Sequence, residues 1–428
     1  MKQHLSSARG LAAGLRLLPH TDSSLAAAQA AWRFYANPRV SLPQLAQPLL
    51  DQARAALAAS SSQWALVIHD WSPLHYTRHH AKEDRIVLYN KNDFGYLLQA
   101  ALLISDREGE PLAPLYLGLE ASQGVHSTRR LTPLPSRPEI DEINRTMGYV
   151  EQQLTDKPVV HLIDREADSM LHMRRFARCG RRFLIRGNDV RRVQHEGHSR
   201  LLREVEADLE DQLRFTREVL FKGKAARQYV TETAVTLSGP TRQARQRQGR
   251  RRWRELWGRP LSLRLIIAQV RDKEGNELAR WRLWSNLGSE VSAAQLSLWY
   301  YWRWRIETFF KLLKRAGQHL EQWQQENALA IARRLVVAAQ ALVIVWALMQ
   351  AEEPEAKVLR EFLVRLSGRM MKRGVDYTGP ALLAGMWNLL AILDALERYP
   401  LREIEGMTRL LLETLGLGDE FKGFKEHV

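Results

Sequence analysis

Three acidic residues are placed so that together they could form a metal-dependent active site. Asp70 ends an apolar run that begins at Trp64, and Asp164 ends a similar run that begins at Val159. Such runs are typical of buried strands, and adjacent strands can bring their carboxyl ends together at one sheet edge. Glu307, on a later helix, could complete a set of oxygen ligands for Mg²⁺. Two such ions about 3.5–4 Å apart can activate a water or a 3′-hydroxyl and stabilise the leaving oxygen.

The segment around Glu307 predicts a single helix with polar groups along one side. At 100° per residue, Tyr300, Arg303, Glu307 and Lys314 fall within about 60° of one another. This stripe suits a helix that presents an acid to a metal while its cations bind phosphates. A solvated helix on which Glu307 pairs with Arg303 and Lys311 is the structural alternative. Each aspartate also has a structural alternative to metal binding, because Asp after an apolar strand often caps the next turn.

Composition restricts the kind of partner and compartment. Lys and Arg total 63 against 48 Asp and Glu, a net charge of +15, which favours nucleic acid, although a basic surface can also serve solubility alone. Cys179 is the only cysteine, which fits a reducing compartment. The most apolar stretch, 335–349, is shorter than the ~20 residues of a membrane span, and the N-terminus lacks the apolar core of a secretory signal. We therefore expect a cytoplasmic protein with no membrane partner.

Periodicity predicts an α/β protein in which a mixed sheet is flanked by helical regions. Residues 138–155 and 166–178 are expected to be helical, and residues 187–284 to be rich in β structure. The strands of the first half are expected in five runs: Trp64 to Asp70, Tyr96 to Ser105, Leu115 to Leu119, Val159 to Asp164, and Phe183 to Arg186.

In their order and spacing, these motifs resemble the bacterial insertion-sequence transposases with a DDE triad and a Y-R-E-K signature, the branch that includes hairpin-forming cut-and-paste elements. The matching parts are the strand-end Asp70, the run Ile163-Asp164-Arg165-Glu166-Ala167-Asp168-Ser169, and the spacing Y-x2-R-x3-E-x6-K from Tyr300 to Lys314. The resemblance extends from about residue 25 to residue 320 and is weaker beyond.

The resemblance implies an RNase H-like core interrupted by a β-rich insertion. The segments would be a helical DNA-binding region (1–60), the first part of the core (61–186), the insertion (187–284), the second part of the core with the Glu helix (285–350) and a helical region that could mediate dimerisation (351–428). The partners it implies are double-stranded DNA, as transposon inverted-repeat ends and as target, and a second copy of the chain in a synaptic complex.

Residue roles follow from the same resemblance. Asp70, Asp164 and Glu307 would ligate two Mg²⁺ ions, for which Mn²⁺ could substitute, and Tyr300, Arg303 and Lys314 would contact phosphates of the transposon end.

Further residues match family positions near DNA. Arg165 and Arg186 are two of these, although Arg186 could equally be a surface residue. Trp281 best fits the tryptophan that stacks an unpaired base during hairpin formation; Trp284 is the other candidate, and a core tryptophan is the structural alternative. From the residues themselves, the arginine cluster at 242–254, which includes Arg250, Arg251 and Arg252, is expected to bind phosphates or else to be merely solvated.

The sequence thus predicts a transposase that cuts inverted-repeat ends and joins them to target DNA, through a hairpin intermediate if it follows the family. Two alternatives stay open. A non-catalytic DNA-binding regulator derived from a transposase would keep end binding without cutting, and the intact acidic triad argues against it. An RNase H-like nuclease or resolvase would cut without strand transfer, and the Y-R-E-K helix argues against that.

Overall fold

The computed structural model describes residues 22–247, 250–316 and 318–414. Two helices come first, α1 (Asp22–Ala36) and α2 (Leu42–Ala59). The Ser41 hydroxyl accepts a hydrogen bond from the Gln44 backbone N–H and caps α2, with Pro43 in the first turn. The predicted region 1–60 is therefore helical over these two spans, whereas residues 1–21 lie outside the described residues.

The first half of the core is a mixed sheet with helical crossovers. Its elements are β1 (Ala65–His75), β2 (Ile86–Val87), β3 (Phe94–Ile104), β4 (Pro111–Ala121), β5 (Gly124–Ser127), β6 (Arg130–Leu134), α3 (Glu139–Gln153), β7 (Val159–Ile163), a 3₁₀ turn (Arg165–Ala167), α4 (Met170–Arg178) and β8 (Arg182–Arg186). Strand β1 is antiparallel to β3 and parallel to β7, which is parallel to β8. Parallel neighbours need long crossovers, and α3 and α4 provide them.

The β-rich segment continues this sheet. It comprises β9 (Arg192–His195), β10 (His198–Leu201), α5 (Leu202–Asp208), β11 (Arg214–Phe221), β12 (Lys224–Leu237), β13 (Thr241–Arg247), β14 (Arg250–Leu256), β15 (Leu261–Arg271) and β16 (Glu277–Ser285). Strand β16 pairs with β8, so most of the segment extends the core sheet. Only β13 and β14 form a separate two-stranded ribbon among the described strands.

The rest of the described chain is helical. It contains α6 (Ala293–Trp302), α7 (Arg305–Lys311) with a π turn (Leu312–Ala316), a 3₁₀ turn (Leu320–Gln322), α8 (Ala328–Gln350), α9 (Pro354–Ser367), α10 (Gly379–Arg398) and α11 (Leu401–Thr414). Helix α8 and residues 379–397 are long and apolar enough to cross a membrane, by length and composition only. Most of α8 is buried against α2 and β4, as expected of a core helix. The α8 span contains the buried helix predicted at 335–349.

The sheet separates two hydrophobic cores. On β8, Leu184 packs into the core that lies under α2 and α8, whereas its neighbours Phe183 and Ile185 belong to the core under α3 and α4. This alternation follows from the pleat, which sends successive side chains to opposite faces. A strand that is buried on both faces has a continuous apolar sequence, which is why this strand could be predicted from the sequence.

The packing around the pairing of β8 with β16 should contribute strongly to the free energy of unfolding. Leu184 on β8 is fully buried and lies opposite Ser285 on β16. We expect Leu184→Ala to lower the free energy of unfolding by about 2–5 kcal/mol, because it leaves a cavity in a packed core. Urea denaturation followed by tryptophan fluorescence and circular dichroism measures this. The control is Leu131→Ala, at a side chain that is 76% exposed, where a change within about 0.5 kcal/mol is expected. Equal losses in the two variants would contradict the packing described.

Candidate active site

Parallel pairing places two of the predicted acids side by side. The register of β1 and β7 runs from Ala65 opposite Val159 to His69 opposite Ile163. Asp70, within β1, and Asp164, directly after β7, are the next residues, so their carboxylates meet at one edge of this pairing. The Asp70 side chain accepts the Trp71 backbone N–H at 2.8 Å, and the Asp164 side chain accepts that of Arg165 at 2.6 Å. These bonds fix one oxygen of each carboxylate.

The prediction that β1 ends at Asp70 was wrong. The strand continues to His75, because residues 70–75 keep their antiparallel pairing with β3 after the pairing with β7 has stopped. Ser72 and Pro73 interrupt the apolar run, so the sequence does not show this half of the strand. Asp70 therefore lies in mid-strand, at the point where β1 loses one of its two neighbours.

The prediction of one continuous helix from Tyr300 to Lys314 was also wrong. Helix α6 ends at Trp302 and α7 begins at Arg305. At the break, the Arg303 N–H bonds to the carbonyl of Tyr300, three residues back, which tightens the turn. Lys314 lies beyond α7 in the π turn. The four signature residues nevertheless remain grouped around the site, as their contacts show.

The guanidinium of Arg303 lies among the three carboxylates. Its Nη1 is 3.1 Å from Asp70 Oδ2, and its Nη2 is 3.3 Å from Asp164 Oδ2 and 3.2 Å from Glu307 Oε1. Arg303 itself is only 4% exposed. The alternative of a solvated helix is right about the Glu307–Arg303 pair, but the arginine is buried and bridges residues from three elements.

Burial and crowding shift the pKa values of these groups. Burial raises the pKa of Asp70, and the charge of Asp164 adds to this, while Arg303 and the Trp71 N–H oppose it. Burial likewise raises the pKa of Glu307 against the opposing effect of Arg303. For Arg303, burial alone would lower the pKa, but Tyr300 and the three carboxylates together raise it. The site thus concentrates negative charge that a cation must balance.

Tyr300 and Lys314 bind protein groups in this structure. The buried Tyr300 hydroxyl donates to Asp164 Oδ1 at 3.2 Å, and burial raises its pKa. The Lys314 ammonium donates to the Ser72 hydroxyl at 3.1 Å and the Pro73 carbonyl, and lies 3.4 Å from Glu321. Neither side chain is displayed on the surface as the phosphate-contact prediction assumed. That role stays a prediction.

The other predicted DNA-contact arginines lie in different places. Arg165 is exposed directly after Asp164, and Arg186 is partly exposed with Nη1 at 3.9 Å from Asp164 Oδ1. Both therefore border the acidic cluster. Arg250, Arg251 and Arg252 lie on β14 of the ribbon, and their side chains lie outside the described residues.

The tryptophan predicted to stack a base is buried. Trp281 is 4% exposed and its ring lies 5.9 Å from the ring of Tyr300, while Trp284 is fully buried. Both placements match the alternative of a core tryptophan. Trp304, which the sequence analysis did not single out, is 45% exposed, with its ring 5.5 Å from the Arg303 guanidinium carbon. Trp304, Arg305, Thr308 and Lys311 are all exposed, at the spacing of one face of a helix, so helical periodicity is the signal that could have identified Trp304.

The donor set fits a hard divalent cation. Three carboxylates with no nitrogen or sulfur ligand are what Mg²⁺ or Mn²⁺ takes in proteins. Within the described ranges, no group of three or more His, Cys, Asp or Glu side chains is already arranged around an ion-sized position. Here the three carboxylates share the Arg303 guanidinium instead. A bound metal would therefore compete with this side chain for the carboxylate oxygens.

Comparison with known proteins adds little. No protein-family model and no curated protein matches this chain. Among solved structures, it is similar to a piggyBac transposase synaptic complex with hairpin DNA, at a TM-score of 0.31 and 10% identity. The match covers 79% of this chain and 55% of the piggyBac chain. A TM-score this low establishes neither a common fold nor a common activity.

Removing the central cation should make the stability of the fold more dependent on pH, because Arg303 lowers the pKa values of Asp70 and Glu307. We expect Arg303→Met to lower the free energy of unfolding at about pH 8 by about 2–3 kcal/mol, less than for a fully buried pair because Asp164 and Glu307 are partly exposed. Asp70 and Glu307 already have raised pKa values when folded, so the folded state binds protons more tightly and its stability falls as pH rises. The loss should therefore be smaller at about pH 5.

Thermal and urea denaturation at both pH values test this expectation. The control is Arg305→Met, which removes the same charge from an exposed position on the same segment. A loss in Arg303→Met that is equal at both pH values, or no larger than in the control, would show that the guanidinium does not neutralise the cluster.

Proposed function

We propose that this chain is a DNA transposase that uses Asp70, Asp164 and Glu307 to cut inverted-repeat ends and join them to target DNA. The observation that supports this most directly is the convergence of the three carboxylates on one guanidinium. They come from mid-strand β1, the end of β7 and helix α7, so the chain brings together acids that are far apart in sequence. A structural salt bridge needs one acid for one arginine, whereas three acids leave an excess of negative charge.

In the proposed reaction, the sheet and the signature residues orient the acids. Asp70 and Asp164 would be held by paired strands and by the backbone N–H groups of Trp71 and Arg165. Tyr300 would fix Asp164 through its hydroxyl. When bound, two Mg²⁺ ions would supply activation of the attacking water or 3′-hydroxyl and stabilisation of the leaving oxygen. Such placement of ligands on rigid elements limits how far they can move during the reaction.

The proposed DNA path passes the exposed cations at the rim of the cluster. Arg165 and Arg186 flank Asp164 on the solvent side, where a phosphodiester would approach. The overall charge of +15 favours such a partner. The arginine-rich ribbon of β13 and β14 is proposed as a further contact. If a base leaves the stack during hairpin formation, Trp304 offers an exposed ring, whereas Trp281 and Trp284 do not.

A second copy of the chain is the proposed partner of the C-terminal helices. Helix α9 exposes Val358, Leu359 and Phe362 on one side, and α11 exposes Met407 and Leu410. Contiguous exposed apolar side chains of this kind mark interaction surfaces. Synapsis of two transposon ends requires two active sites, which a dimer provides. A cytoplasmic, nucleoid-associated location is part of the same proposal.

Neutral replacements of the acids should abolish cutting without preventing DNA binding. We expect Asp70→Asn, Asp164→Asn and Glu307→Gln each to reduce Mg²⁺-dependent nicking about a thousandfold, since metal ions contribute several kcal/mol to such transition states. The assay uses linear DNA that carries the inverted repeats flanking the gene, with a gel shift to measure binding. The control is Asp51→Asn, an isosteric change at an exposed acid on α2.

The wild-type chain also distinguishes the alternatives. Nicking that survives any of the three replacements would exclude that acid from the reaction. Binding of ends without Mg²⁺-dependent cutting would identify a non-catalytic regulator. Cutting without joining to target DNA would identify a nuclease.

Charge placed on the apolar side of α9 should weaken self-association. We expect the double variant Val358→Glu/Phe362→Glu to raise the dissociation constant of the DNA-bound dimer at least tenfold, because each change buries a charge against an apolar surface. Light scattering coupled to size-exclusion chromatography measures the mass of the complex. Glu361→Gln on the same helix is the control. Unchanged dimers in the double variant would place the interface elsewhere.

A further inference from the structure

Arg303 uses the carboxylate oxygens that a metal would need. Its two terminal nitrogens contact Asp70 Oδ2, Asp164 Oδ2 and Glu307 Oε1. On Asp70 and Asp164 the other oxygen already accepts a backbone N–H. A divalent cation and the guanidinium are both positive and would compete for the same lone pairs. Metal loading and this position of Arg303 therefore oppose each other.

The guanidinium is held in a way that permits release. Its Nε is buried and has no hydrogen-bond partner within the part of the chain that the structure describes. An unsatisfied buried donor makes this position less favourable than the three ion pairs alone suggest. The charge lies 5.5 Å from the ring of Trp304, which is 45% exposed, so the site borders solvent on that side.

A nucleic-acid backbone can take over the guanidinium. Phosphate oxygens accept paired N–H donors from arginine with the same geometry as carboxylates. Arg186 is partly exposed, and one of its nitrogens lies 3.9 Å from Asp164. It places a further cation at the rim of the cluster, where an anion can bind. DNA that binds there offers Arg303 a new partner at the moment when the acids need a different cation.

We propose that Arg303 couples metal loading to DNA binding. Without DNA, its guanidinium neutralises the three acids and keeps divalent ions out; with DNA, it transfers to a phosphate and frees the acids for metal. This inference rests on the proposed function, since it takes the triad as the metal site. Thermodynamic linkage then requires the effect to be reciprocal, so that metal also strengthens DNA binding.

Mn²⁺ titration of the full chain by isothermal calorimetry tests the coupling without measuring activity. In the absence of DNA, Arg303→Gln should bind Mn²⁺ about tenfold more tightly than the wild type, a typical size for coupling between sites. Addition of a short DNA duplex should raise the Mn²⁺ affinity of the wild type by a similar factor and leave that of Arg303→Gln nearly unchanged. Arg305→Gln, which removes the same charge two residues away, should behave as the wild type.

Mn²⁺ that binds to the duplex itself is subtracted with Glu307→Gln titrated against the same DNA. Equal Mn²⁺ affinities of wild type and Arg303→Gln without DNA would overturn the coupling while leaving the metal site in place. If Mn²⁺ binds neither protein even with DNA, the metal site fails and the proposed function with it. Should Arg303→Gln not fold, the wild type decides the question alone, because an affinity that DNA does not change contradicts the proposal.

Discussion

The ion cluster of Arg303 with Asp70, Asp164 and Glu307 is the interaction on which the geometry of the acidic site depends. Three acids can lie this close in a partly buried place only if a cation shares them. The arginine thereby ties the middle of β1, the end of β7 and the start of α7 into one unit. Because each acid lies on a different element, the cluster also links a late helix to two early strands.

The β-rich segment affects this cluster although it contributes none of its residues. Strand β16 joins β8 in the sheet and carries Trp281, which packs on Tyr300. The Tyr300 hydroxyl in turn donates to Asp164. A tryptophan that the sequence linked to base stacking thus supports the position of an acidic residue from the side of the core.

Much of the fold could be predicted because burial on both sheet faces leaves a plain sequence pattern. The apolar runs at β1 and β7 and the helix α3 lie close to where periodicity placed them. The features that periodicity did not predict depend on contacts with neighbouring elements. The second half of β1 is held by β3 despite Ser72 and Pro73, and the turn at Arg303 is marked by a backbone hydrogen bond to Tyr300. The pairing with β3 joins residues that are distant in sequence, so the local pattern around Ser72 does not show it.

The sequence by itself determined which residues could share a site, because the residue types and spacings of the acids and the signature are written in it. Only the tertiary structure decided what each one touches. Arg303 and Glu307 are four residues apart and could both have faced solvent. Instead, the arginine is buried and contacts all three acids. Trp281 and Trp304 are both tryptophans, but the first is buried in the structure and the second is 45% exposed. Contacts of this kind depend on elements distant in the chain, and no local pattern records them.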